Sequence, residues 1–139
     1  MGRFKGLMNT PELVGFFGEN YFAFGRHNGS RYRSLEALDI GRKALIAKFQ
    51  NLLVDLAERR QTKHDRLQRQ ILDIEGLSAP LVAQLRMACD HLEREMSALR
   101  QQVDQAERHE GWVLEAVNHY QLGFDRGLRE ALDFDLLRS

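Results

Sequence analysis

Stepping alternately by three and four residues from Val82 lands on Leu85, Cys89, Leu92, Met96, Leu99, Val103 and Ala106. Beyond Glu110 the walk continues through Val113, Val117, Tyr120, Phe124, Gly127, Ala131 and Phe134. Only Glu110 and Gly127 interrupt this apolar seam. A 3.5-residue period belongs to a helix that needs a partner, because alone it would leave its stripe in water. The sequence therefore predicts one long helix over 79–134, and the chain has to supply its cover.

Leu35, Leu38, Leu45, Phe49, Leu52, Leu56, Leu67, Ile71 and Ile74 form a second stripe, predicting a helix over 35–75. Only "GLS" separates the two helices, so they fold back antiparallel. The boundaries are chemically marked. Ser34 and Ser78 stand at N-cap positions, Gly76 offers a left-handed stop, and Pro80 suits a first helical turn. Thr10-Pro11-Glu12 repeats the start signal, with the threonine oxygen expected to accept a free amide, for a short helix over 11–24. Across "ERRQTKHDR", Glu58 to Arg66, the apolar pattern lapses. That predicts a loose, solvated stretch, or else a surface facing a charged partner.

At about 1.5 Å per residue the two long helices span roughly 60 and 80 Å, so the later one overhangs the earlier. The overhang is aromatic, and no Phe, Tyr or Trp occurs between Asn51 and Gly111. Residues 15–33, "GFFGENYFAFGRHNGSRYR", are tethered to the same end. Phe16, Phe22, Trp112, Tyr120 and Phe124 are thus expected to gather into an aromatic cap or pocket, since burying a large side chain contributes roughly 1.5–3 kcal/mol. Gly123 and Gly127, four residues apart, clear one helix face for a backbone or a ring, with Phe16 or Phe22 the expected occupant. Gly111 is expected to mark a small bend beside Trp112.

The expected fold is all-α: a coiled-coil-like antiparallel helical hairpin with a short N-terminal helix capping the aromatic end. One domain covers 1–139, with an aromatic and basic segment at 1–33 and the hairpin at 34–139. A two-helix hairpin leaves its seam half covered, so a homodimer forming a four-helix bundle is expected, with Leu53, Leu72, Ile46, Leu114 and Leu122 as second faces. Arg42, or the adjacent Lys43, is expected to meet Glu110 across the seam and set register.

The charge balance constrains function. There are 20 basic and 20 acidic side chains, so no global field draws the chain to DNA or a membrane. Residues 1–50 nevertheless carry eight basic against four acidic groups. Arg26, His27, Arg31, Tyr32, Arg33 and Lys43 make this basic head a candidate surface for nucleic acid or a protein partner, rings stacking and cations meeting phosphate. No stretch has the roughly 18 apolar residues of a membrane span, and no secretory leader is read at "MGRFKGLMNTPELVG", so no membrane association and a cytoplasmic setting are expected.

Motifs for chemistry are missing. Five histidines, His27, His64, His91, His109 and His119, include no Glu-x-x-His pair, and "HEGWV" has valine where a zincin has its second histidine. Glu115 and His119 have the i,i+4 spacing of a surface pair. The single cysteine, Cys89, lies in the apolar seam, where a thiol acts as a small hydrophobe. No catalytic residues, metal or cofactor are expected. The leading expectation is a non-enzymatic helical scaffold, adaptor or accessory subunit. The alternatives are a nucleic-acid-binding protein using the basic head, or a small-molecule binder with a pocket at the aromatic end.

Overall fold

The computed structural model describes residues 5–138, and no strand forms among them. Met1 to Phe4 of the expected N-terminal segment, and Ser139, lie outside the described residues. The helices are α1 (Lys5–Met8), α2 (Pro11–Phe17), α3 (Tyr21–Tyr32), α4 (Leu35–Ile74), α5 (Ala79–Glu107) and α6 (Leu114–Arg138), with a 3-10 turn, Gly111–Val113, leading into α6.

The hairpin is as expected. The Ser34 hydroxyl accepts the Ala37 N–H at 3.0 Å and opens α4; Ser78 does the same for Leu81 at 3.4 Å and opens α5. Between them Gly76 takes φ +90°, which a side chain would resist. Antiparallel pairing is fixed by contacts such as Gln50 to Glu107 and His64 to Glu93, both 2.8 Å. Thr10 behaves differently from expectation. Its hydroxyl donates back to the Leu7 carbonyl at 2.9 Å and caps nothing, so α2 starts on its proline alone.

The single helix expected over 79–134 is two helices. After Glu107 the chain enters a Schellman turn: the Glu110 N–H bonds the Gln105 carbonyl at 2.8 Å and the His109 N–H the Ala106 carbonyl at 2.9 Å. His109 sits at the left-handed position, φ +60°, where glycine is usual. Glu110 is thus an exposed residue just past a helix end rather than a charge within a seam. The buried Gln102 secures the restart, its Oε1 accepting the Trp112 backbone N–H at 2.7 Å. Gly111 is therefore part of a full helix break rather than of a small bend.

The N-terminal segment also departs from expectation. The chain halts after Phe17 and restarts at Asn20, whose side chain accepts the Ala23 N–H at 3.0 Å. Residues 25–32, beyond the short helix expected over 11–24, belong to helix α3. Arg33, at φ 47°, then reverses the chain into α4.

Helix α3 forms because of α6. A Cβ on Gly25 would overlap the Tyr120 carbonyl oxygen, and one on Gly29 that of Phe124. Reciprocally, a Cβ on Gly123 would overlap the Phe22 carbonyl oxygen, and one on Gly127 that of Arg26. The two backbones touch through four glycines, with hydrogens where side chains would be, facing carbonyl oxygens as in Cα–H···O contacts. The numbers rise together from Phe22–Gly123 to Arg33–Asp135, so the helices run parallel. They also share a pattern at constant offset: Asn20, Phe22, Phe24, Gly25, Gly29 and Arg31 correspond to Asn118, Tyr120, Leu122, Gly123, Gly127 and Arg129. Packing, as expected, explains Gly123 and Gly127, but their occupant is backbone and not a ring.

The core lies where these elements meet. Phe49, Leu53, Leu56, Leu99 and Val113 are fully buried there, and Leu7 and Leu13 close it from α1 and α2. The Arg59 guanidinium, 2.8 Å from Glu12, ties α2 to α4 and holds the Glu12 carboxyl below its ordinary range. Ile46 and Leu53, expected on a second face, are inside this core.

Candidate functional site

Of the five rings expected to form one cap, Phe16, Tyr120 and Phe124 are buried and Trp112 is half-buried, while Phe22 is 40% exposed. The reason is α3: with the Phe22 carbonyl against Gly123, its ring faces outward and Tyr21 turns in. Phe16 packs on Phe49, Tyr21 and Phe17 with centroids 5.0–5.3 Å apart. Tyr120 lies 6.4 Å from Phe124, and its hydroxyl accepts the Asn28 amide at 2.8 Å. Phe16, Tyr21, Tyr120 and Phe124 thus belong to the core.

A cleft opens beside them. It measures about 300 Å³ and is lined by Met8 of α1, Phe17, Glu19 and Tyr21 at the α2–α3 link, and Trp112, Glu115, Ala116 and His119 around the start of α6. The Tyr21 hydroxyl donates to the Phe16 carbonyl, leaving the ring at the wall. Burial, helped by the charge of Glu19, pushes that hydroxyl's pKa up to about 12, so the ring stays neutral. Glu19 and Glu115 stand exposed at the rim, with His119 Nε2 3.9 Å from the Glu115 carboxylate. Trp112 is the one residue shared with the expected pocket. The others were missed because Phe17 and Tyr21 could be told from Phe22 only by knowing where α2 ends. The Glu115–His119 spacing was the available signal.

The basic head is partly spent on internal pairs. Arg26 Nη2 is 2.7 Å from Glu130, whose carboxyl is held below its ordinary range by that hydrogen bond and a second from Arg126. Arg33 pairs with Asp135. Arg31 stacks over Tyr32 at 5.8 Å, and His27 and Lys43 are exposed. Arg42 pairs with Asp39 and donates to Gln121 at 3.0 Å, while Glu110 lies 3.7 Å from Arg108. The expected Arg42–Glu110 pair is therefore replaced by separate partners, a direct result of the helix break that carries Glu110 out of the seam.

Midway along α4 the charged stretch from Glu58 to Arg66 turns partly inward. Arg60 Nε lies 3.5 Å from Glu95, with side chains only 16% and 12% exposed, and His64 Nε2 lies 2.8 Å from Glu93. The 3.5 Å approach is ion-pair distance without hydrogen-bond geometry, so Arg60 Nε is buried without a hydrogen-bond partner, as is His64 Nδ1, 3.8 Å from Asp65. The stretch is regular helix with six of its nine residues exposed, as a solvated segment would have, while Arg60 and His64 face carboxylates of α5.

None of the known protein families, curated proteins or solved structures compared with this chain matches it.

Past this polar layer α4 and α5 continue as an arm. Ile71, Cys89 and Leu92 are buried, and burial pushes the Cys89 thiol pKa up, with Glu93 and Asp90 adding to it. Leu67, Ile74, Val82 and Leu85 are only half covered, and Leu72, Leu77, Leu81 and Met87 are exposed. Among the described residues no helix is long and apolar enough to cross a membrane, and no three His, Cys, Asp or Glu side chains come together as a metal site would require.

Proposed function

We propose that the protein is a non-enzymatic helical interaction protein whose arm self-associates and whose head engages a protein partner. The observation that supports this is the uncovered side of the arm. Leu81, Leu85 and Ala88 follow one another at helical spacing on α5, and Leu67 and Ile74 of α4 are likewise only half covered. Leu81 is 52% exposed. A second arm laid on this side completes a four-helix bundle and removes the stripe from water, at roughly 25 cal/mol per Å² of apolar surface. The nucleic-acid reading draws less support, because Arg26 and Arg33 are already paired with carboxylates of α6.

Sedimentation equilibrium tests the proposal. The protein is expected to be a dimer at micromolar concentration, and Leu81→Glu, which changes an exposed position, to give a helical monomer. A wild-type monomer throughout that range overturns the self-association.

A further inference from the structure

We propose that the cleft between α1, the α2–α3 link and the start of α6 binds a small organic cation of the quaternary or alkylated ammonium class. Three aromatic side chains, Phe17, Tyr21 and Trp112, contribute to its walls, and two carboxylates, Glu19 and Glu115, stand at its rim; among the described residues no lysine or arginine lines it. Ring faces carry the negative lobe of the aromatic quadrupole and attract a cation within about 6 Å, tryptophan most strongly. An alkylated ammonium has few or no N–H groups to satisfy, so ring faces and nearby negative charge suffice to hold it.

The other ligand classes fit less well. An anion would meet Glu19 and Glu115 with, among the described residues, no lysine or arginine to offset them. A ligand recognised by directed hydrogen bonds would want the Tyr21 hydroxyl, which is committed to the Phe16 carbonyl. At about 300 Å³ the space is at the small end for ligand sites, right for a headgroup-sized cation and too small for a nucleotide. His119 sits beside Glu115 and, with Glu19 and Tyr21, completes the titratable side chains at this wall among the described residues.

Trp112 is the single tryptophan of the chain, so its fluorescence reports the cleft alone. The full-length protein is titrated with choline and, separately, with the uncharged isostere in which a tert-butyl group replaces trimethylammonium. Choline is expected to give a saturable change with Kd near or below about 1 mM, and the isostere to bind at least about tenfold more weakly. The double variant Glu19→Gln with Glu115→Gln changes two exposed side chains. It is expected to weaken choline about tenfold and leave the isostere unaffected. Equal affinity for the two compounds overturns the assignment, as does the absence of saturation by choline up to roughly 50 mM. The self-association of the arm is measured separately and stands or falls on its own.

Discussion

The head and the arm are built from the same two long helices, yet they are held together by different means. In the head, α3 and α6 meet backbone to backbone, and α1 and α2 seal a core in which Phe49, Leu53, Leu99 and Val113 are fully enclosed. In the arm, α4 and α5 have only each other, and several leucines remain in water. Between them lies a polar layer, Arg60 paired with Glu95 and His64 hydrogen-bonded to Glu93. A fixed contact that tolerates no extra atom thus gives way to a surface with room for more partners. Rigidity and availability have been assigned to opposite ends of one hairpin.

The glycines offer the strongest way to break that contrast. Gly25→Ala or Gly123→Ala forces a methyl into a carbonyl oxygen and should cost about 3 kcal/mol, read from urea unfolding followed by Trp112 fluorescence. Gly15→Ala is the control. It adds a methyl where nothing lies within 4 Å and should stabilise by about 0.5–1 kcal/mol. A head that accepts alanine at Gly25 without loss is not locked through its backbone.

A smaller effect is expected at the polar layer. Glu95→Ala leaves the mostly buried Arg60 without its carboxylate and should cost about 2 kcal/mol in thermal or urea unfolding. Arg60→Leu together with Glu95→Leu should return to within about 1 kcal/mol of wild type, because an apolar pair avoids desolvating two charges. Failure of that recovery would mean that the layer joins head to arm more firmly than its geometry indicates. The smallest effect belongs to the helix break. His109→Gly relieves a left-handed side-chain conformation and should raise stability by up to about 1 kcal/mol, measured the same way.

The parts of the fold that were legible in the sequence are those written in local chemistry. Ser34, Ser78 and Gly76 act at short range, and they placed α4 within a residue of its end and α5 at its start. The parts that were not legible depend on partners far away in the chain. Helix α3 contains Gly25, Asn28, Gly29 and Ser30, all weak helix formers, and reads as a loop until Gly123 and Gly127 are laid against it. The break after Glu107 was hidden for the opposite reason: the apolar period runs straight through it, and a histidine occupies the position where glycine would have announced the turn. The cleft followed α3 into obscurity, since the facing of Phe17 and Tyr21 is decided by Asn20.

The pairing of α3 with α6 also sets an order of events during synthesis. Twelve residues with two glycines cannot hold a helix unaided, and the segment that braces them is made only after the whole of α4 and α5. Helix α3 is therefore made before α4 and takes shape only after α6.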